Sequence, residues 1–105
     1  NNCANRCYYS CFQAAVYALQ EFGVISTGSR STWSHEALQA AFARELIQRR
    51  KVYPAELRDV LARTAKLRQA ADYTRDLISE AQALRALRRA QRFVGAVRIQ
   101  GERSR

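Results

Sequence analysis

The stretch that decides the fold is CANRCYYSCFQAAVYALQEF, residues 3–22. Its apolar side chains recur every three or four residues, at Tyr8, Cys11, Phe12, Ala15, Val16, Leu19 and Phe22. This spacing places all of them on one face of a helix, so the stretch predicts an amphipathic helix with one buried side. The helix is expected to end at Gly23, because glycine adopts the positive φ of a helix C-cap without strain.

Three further segments repeat this periodicity and carry helix-capping residues at their ends. The second helix is expected to begin near Ser34 and to end at the basic residues 49–51, and Pro54 suits the first turn of the third. The fourth opens at Ser79, with Gln82 three residues later, as in a capping box. Its expected inner face consists of Ala83, Leu84, Leu87, Ala90, Val94 and Val97.

The composition agrees with a chain made of helices alone. The 105 residues include one Pro and four Gly, and Val and Ile are too sparse and too scattered to predict a sheet. Four amphipathic helices with short connections pack most simply as an antiparallel bundle. The sequence therefore predicts an all-α fold in one domain, residues 1–105, with a frayed tail at 99–105.

Cys3, Cys7 and Cys11 recur every four residues and share one helical stripe. Three thiols on adjacent turns fall short of the four ligands of a structural zinc site, and the one histidine, His35, is distant in sequence. We therefore expect small cysteines that face the core, with no bound metal or cofactor. An odd number of cysteines in a short chain is typical of a reducing compartment and predicts a cytoplasmic protein. No apolar run approaches the ~18 residues of a membrane span, so no membrane partner is expected.

The chain is strongly basic: 18 Lys and Arg stand against 9 Asp and Glu, which gives a net charge of +9. Among the cations only Lys51 and Lys66 are lysines. The planar guanidinium of arginine pairs two phosphate oxygens at once, so this excess favours RNA or DNA as the partner. The same charge also suits a well-solvated surface that binds nothing.

One basic arrangement lies on the last predicted helix. Arg85, Arg88, Arg89 and Arg92 follow one another at helical spacing opposite the apolar stripe, which predicts a continuous basic ridge. Such a ridge can follow the phosphates of a nucleic acid. It can equally be the exposed face of an ordinary surface helix.

Arg30 and His35 form the second arrangement, an R-x4-H pair in the segment before the second helix. An arginine can hold a scissile phosphate, and a histidine can move a proton to or from a ribose 2′-hydroxyl. Alternatively, a histidine at the start of a helix caps or packs without taking part in chemistry. The sequence has no Gly-rich phosphate loop, acidic metal cluster or G-x-S-x-G motif that would indicate another class of enzyme.

Four segments resemble the signature of HEPN domains, in the order in which that family has them. NRCYYSCFQAA at residues 5–15 resembles the family's NRxYYxxFxxA, and SHEAL at 34–38 resembles the SHxxL that opens its next long helix. RQAADY at 68–73 is similar to RxxADY, and AQRFV at 90–94 is similar to the AxxFV of the closing helix. Together these segments are spread over nearly the whole chain, from residue 5 to residue 94.

The resemblance implies an all-α bundle of four or five helices that usually forms a homodimer, with a first helix that would precede Asn1. Many HEPN proteins are metal-independent endoribonucleases, and often toxins that a partner nucleotidyltransferase neutralises. In these nucleases an R-x4-6-H motif meets its symmetry mate across the dimer cleft, and the 2′-hydroxyl attacks the adjacent phosphate. Carried over, Arg30 would bind the phosphate and His35 would act as acid and base.

The sequence is compatible with three functions. The chain could be a HEPN-type toxin that cleaves RNA with Arg30 and His35. It could be a non-catalytic module that binds nucleotide or RNA through Arg85, Arg88, Arg89 and Arg92, or that docks onto a nucleotidyltransferase. It could also be a structural dimerisation domain whose arginines only keep it in solution.

Overall fold

The computed structural model describes residues 2–24, 33–74 and 79–103, and every regular element within these ranges is helical. Helix α1 spans Asn2–Glu21, α2 spans His35–Ala41, α3 spans Val60–Thr74 and α4 spans Glu80–Arg103. A π-helical segment, Phe42–Arg49, continues α2, and a 3₁₀ turn, Ala55–Leu57, precedes α3. The all-α prediction is confirmed for the described residues.

The helix ends are those expected from local sequence. Gly23 has φ +74°, its N–H donates to the carbonyl of Gln20 at 3.0 Å, and the N–H of Val24 donates to that of Leu19 at 2.9 Å. This pair of hydrogen bonds is a Schellman motif, which satisfies carbonyls left without partners at the end of α1. At the start of α4, the N–H of Ser79 donates to Gln82 Oε1 at 3.0 Å and the N–H of Gln82 donates to Ser79 Oγ at 3.1 Å, which completes the predicted capping box.

The core lies where α1, the π-helical segment and α4 meet. The Phe42 ring lies 5.1 Å from the Phe93 ring and stacks at 5.3 Å on that of Tyr53. Thr64 is the one buried polar side chain in the described part of the chain, and its hydroxyl donates to the carbonyl of Leu61 at 3.0 Å. The predicted face of α1 is buried or half-buried throughout, as the sequence indicates.

The helices do not simply alternate in direction, which corrects the antiparallel arrangement expected from the sequence. The start of α2 lies beside the first half of α1, where the His35 and Tyr8 rings are 5.7 Å apart. The end of the π-helical segment lies beside the end of α1, where the Arg50 guanidinium is 5.6 Å from the Phe22 ring. These two contacts make α2 and its π-helical continuation parallel to α1.

Helix α4 is also parallel to α1, and of the four described α-helices only α3 runs in the opposite direction. Cys7 lies in α1 beside Ala90, and a Cβ on Gly101 would lie 3.3 Å from the Tyr17 hydroxyl, so both helices advance together. The length of the first connection permits α2 to run parallel to α1. Nine steps from Val24 to Trp33 can span about 30 Å, whereas 14 helical residues of α1 rise about 21 Å.

The inner face of α4 differs from the predicted one. Leu84 and Leu87 were expected inside, but they are 47% and 42% exposed, and Phe93, which the periodicity omitted, is fully buried. The observed face consists of Ala86, Ala90, Phe93, Val97 and Gly101. Contact of Phe93 with Phe42 selects this stripe over the neighbouring one, and local periodicity does not reveal such a long-range contact. The helix continues through Arg103, so residues 99–103 are helical where a frayed tail was expected.

Candidate nucleic-acid interface

A basic groove lies between the antiparallel helices α3 and α4. It consists of two adjoining depressions with volumes of about 430 and 300 Å³. Arg63 and Arg89 line both depressions, so they join them into one surface. We call this surface the α3–α4 groove; its cationic side chains are Arg63, Lys66, Arg85, Arg89 and Arg92.

Helical spacing brings these cations together. Arg85, Arg89 and Arg92 are separated by four and three residues, so they share one side of α4. Arg63 and Lys66 are three residues apart on α3 and face them across the groove. The lining also includes Ala86, whose side chain is buried.

Of the four arginines in the predicted ridge, Arg85, Arg89 and Arg92 line the groove and Arg88 does not. Arg88 is exposed, but it lines neither depression. Sequence reasoning missed Arg63 and Lys66, because their place opposite α4 depends on the packing of two helices. The three-residue spacing of these two cations places them on one side of α3, but it does not indicate which helix they face.

Carboxylates lie at one end of the groove only. Glu56 and Asp59 line the smaller depression, and Arg92 Nη1 is 3.8 Å from Glu56 Oε2. Both side chains of that ion pair are more than 60% exposed, so water and salt screen it and it stabilises little. Among the described residues, the other four groove cations form no ion pair. Most of the positive charge of the groove is therefore available to an anion.

A second cluster surrounds Tyr8 at the opposite end of α1 from Gly23. The Arg68 guanidinium lies over two rings, 4.8 Å from the centre of Tyr8 and 5.1 Å from that of Tyr9, and its Nε donates to Asn5 Oδ1 at 3.2 Å. The Tyr9 ring meets Tyr8 edge-on at 5.2 Å, and the His35 ring lies 5.7 Å from Tyr8. We call these five residues, from α1, α2 and α3, the Tyr8 cluster.

His35, the predicted acid and base, lies at the first position of α2 and is half-buried. It does not cap the helix, because the N–H of Ala37 donates to Ser34 Oγ at 3.1 Å. Its Nδ1 is buried and has no hydrogen-bond partner among the described residues. Arg30 lies outside those residues, so the Arg30–His35 pair stays a prediction.

The cysteine stripe faces the core, as predicted, at the two positions whose side chains the structure describes. Cys7 and Cys11 are both buried in the hydrophobic core. Burial, followed by the neighbouring Cys7, raises the pKa of the Cys11 thiol from 9.0 to about 12, and nearby Arg89 opposes this rise. Within the described ranges, no three His, Cys, Asp or Glu side chains come close enough together to hold a metal ion.

A further depression lies on the other side of α4, between that helix and α1. It has a volume of about 660 Å³, and its lining is mainly apolar, with exposed Leu87 beside Val94 and with Arg6 and Arg98 among its polar side chains. Leu87 was expected in the core, so the sequence did not indicate this depression. None of the described helices is long and apolar enough to cross a membrane.

Comparison of the chain with protein-family models, with curated proteins and with solved structures finds no match in any of the three.

Proposed function

We propose that this protein binds RNA through the α3–α4 groove, as a toxin or toxin-like protein of the HEPN type. The observation that carries the proposal is the convergence of five cations from two helices on one concave surface. Four of them are arginines, whose guanidinium groups can each pair two phosphate oxygens. A chain with a net charge of +9 adds long-range attraction for a polyanion.

The lining of the groove favours recognition of the nucleic-acid backbone. No aromatic side chain occurs among the described residues that line the two depressions. Proteins that select single-stranded bases stack them on aromatic rings, and the groove has no such platform. Contacts to phosphates position a protein without reading the sequence. We therefore expect binding that depends strongly on salt and weakly on base sequence.

The HEPN-type assignment rests on the four similar segments, and side chains from these segments meet as follows. Asn5, His35 and Arg68 belong to three different segments, and all three lie in the Tyr8 cluster. In the fourth segment, Ala90 and Phe93 lie in the core of the bundle. Side chains from all four segments thus have definite contacts in one fold. Formation of a homodimer and pairing with a nucleotidyltransferase antitoxin in the cytoplasm belong to this proposal.

Arg88 and Arg89 provide a matched pair of variants to test RNA binding. They are adjacent arginines on the same helix, but only Arg89 lines the groove. Arg89→Ala should weaken the affinity for a short RNA about tenfold, as expected for the loss of one charge-assisted contact. Arg88→Ala removes the same charge and should weaken it less than about twofold. Fluorescence anisotropy with labelled RNA measures both, and equal losses in the two variants would contradict a binding site in the groove.

Endoribonuclease activity is the second candidate, and His35 is the observation that favours it. A neutral imidazole can accept the proton of a ribose 2′-hydroxyl. The 2′-oxygen then bonds to the adjacent phosphorus, the bond from phosphorus to the 5′-oxygen of the next nucleotide breaks, and that oxygen leaves with a proton, so that a 2′,3′-cyclic phosphate remains. Since Nδ1 is buried, proton exchange with the substrate would take place at Nε2. Cleavage of RNA by the wild type should then be lost in His35→Ala and reduced in Arg30→Ala. Cleavage by His35→Ala at the wild-type rate would contradict the catalytic role of His35. RNA binding in the groove would then stand without it.

A further inference from the structure

We propose that the groove between α1 and α4 binds an amphipathic helix of a different protein, with acidic side chains beside the apolar face of that helix. The groove consists of two adjoining depressions with volumes of about 660 and 300 Å³, which share Val94 and Arg98. We call it the α1–α4 groove. None of its lining residues lines the α3–α4 groove, so the inference concerns a second surface and does not depend on RNA binding.

Helix α4 carries apolar side chains on two sides, and the described part of the chain covers only one of them. On the inner side Phe93 is fully buried, whereas in the α1–α4 groove Leu87 is 42% exposed and Val94 is half-buried. Leu87 and Val94 are seven residues apart, so they lie in line along the groove. A surface helix normally has polar side chains on the side away from the core. An exposed apolar surface with a polar rim is typical of a site that binds another protein.

The length of the groove matches a helix. Its α1 side extends from Arg6 to Tyr17, and its α4 side extends from Leu87 to Glu102. Because an α-helix rises about 1.5 Å per residue, these sides are about 16 and 22 Å long. A third helix that lies along the two parallel helices would make contact over about three to four turns. Amphipathic helices bind in apolar grooves in this way, through side chains at positions i, i+3, i+4 and i+7.

Gly95 leaves room for the partner to approach closely. It lies inside α4, where glycine is less favourable than alanine. A Cβ at this position would have no atom of the described chain within 4 Å. Packing within the described chain therefore does not require a glycine here. A glycine that lines a groove and faces open space allows the side chains or backbone of a second helix to approach α4.

Two arginines determine the charge that the partner helix should carry. Arg6 and Arg98 are exposed, line the groove and form no ion pair among the described residues. Cys7 lies beside Ala90, and Arg98 follows Ala90 by eight residues, so the two arginines are about 12 Å apart along the groove. Carboxylates separated by seven or eight residues on a helix have a similar spacing, about 10 to 12 Å. Two such carboxylates on the partner would therefore face both arginines.

A second copy of this chain does not supply that pattern. The described helices carry few carboxylates, and no two on the same helix are separated by seven or eight residues. The partner should therefore be a different protein. Glu102 lies at the far end of the groove, beyond Arg98, so the acidic side chains of the partner helix should lie towards Arg6.

A designed helical peptide of about 16 residues serves as the probe. It carries leucines at i, i+3, i+4 and i+7 spacing on one face and two glutamates seven residues apart beside that face. A control peptide has the same composition, but its leucines are distributed around the helix. Fluorescence anisotropy measures the binding of each labelled peptide to the full chain. Wild type should bind the amphipathic peptide at least about tenfold more tightly than the control, whereas attraction by net charge alone would give equal affinities.

Two sets of variants locate the bound peptide. Gly95→Leu fills the groove from a position with free space and should weaken binding at least about tenfold; its melting temperature should not fall, because leucine is the better helix former. The double variant Arg6→Ala and Arg98→Ala should weaken binding about tenfold. Its matched control, Arg88→Ala and Arg103→Ala, removes two exposed arginines outside the groove and should weaken binding less than about twofold.

Three results would overturn the proposal. The first is equal affinity of wild type for the two peptides, and the second is unchanged binding of the amphipathic peptide by folded Gly95→Leu. The third concerns the oligomeric state, measured by light scattering: if wild type is a dimer and Gly95→Leu is a monomer, the groove joins two copies of this chain. Arg89→Ala should weaken RNA binding and leave peptide binding unchanged, so each surface can fail without the other.

Discussion

Removal of three cations from the α3–α4 groove should change how RNA binding depends on salt. Each phosphate that a protein neutralises releases bound counterions, so the logarithm of the affinity falls linearly with the logarithm of the salt concentration. For a single strand the slope is about −0.7 per phosphate. The groove presents five cations, and its contribution to the slope for wild type is therefore about −3.5.

The triple variant Arg85→Ala, Arg89→Ala and Arg92→Ala leaves two groove cations, for which the expected slope is about −1.4. An increase from about 50 to 200 mM salt should then weaken wild-type binding about 130-fold and variant binding about sevenfold. Five is the upper limit for the number of phosphates that the wild-type groove neutralises, because Glu56 competes for Arg92 in an exposed ion pair.

Fluorescence anisotropy with a short labelled RNA at four salt concentrations measures both slopes. The control is a second triple variant, Arg6→Ala, Arg98→Ala and Arg103→Ala, which loses the same charge outside the groove. Its slope should stay close to that of wild type. If both triple variants have the same slope, the net charge attracts the RNA and the groove has no special role.

Three further predictions concern stability. Phe93→Ala should lower the free energy of unfolding by about 3–5 kcal/mol, because it leaves a cavity beside Phe42. Leu84→Ala should change the free energy of unfolding by less than about 0.5 kcal/mol. Urea titration measures both, and a larger loss in Leu84→Ala than in Phe93→Ala would contradict the assigned inner face of α4. Ser79→Ala should cost about 1 kcal/mol through loss of the capping box, which the same titration measures. Burial raises the pKa of Cys11 to about 12, so the contribution of the protonated thiol to stability is fully present below pH 9 and is lost as the pH rises towards 12. Between pH 8 and pH 11, the free energy of unfolding should therefore fall more in wild type than in Cys11→Ala. Equal losses in the two proteins would argue against a protonated buried thiol.

Much of the helical structure could be predicted because it depends on neighbours in sequence. The capping box of Ser79 and Gln82, the cap at Ser34 and the left-handed Gly23 each involve residues within five positions of one another. The buried face of α1 follows from its periodicity. Such features need no knowledge of tertiary packing.

The direction of α2 and the face of α4 could not be predicted, because they depend on contacts between distant residues. Helix α4 has two overlapping apolar stripes, and the Phe42–Phe93 contact between residues 51 positions apart decides which one is buried. In the candidate sites too, features that depend on neighbours in sequence could be predicted and features that depend on distant contacts could not. The arginines of α4 were found from their spacing, whereas Arg63 and Lys66 required the packing of α3 on α4. The Tyr8 cluster depends on a hydrogen bond between Asn5 and Arg68, which are 63 residues apart.

Nuclear magnetic resonance titration of the labelled chain with a short RNA tests the central claim most directly. Binding in the α3–α4 groove should produce the largest changes in backbone amide shifts along residues 60–67 and 82–92, the parts of α3 and α4 that line it. The residues that line the depression between α1 and α4 and lie outside these two ranges should change little; they are Arg6, Cys7, Ser10, Val94, Gly95 and Arg98. Largest changes around that depression, or uniform small changes over the whole surface, would contradict RNA binding in the α3–α4 groove.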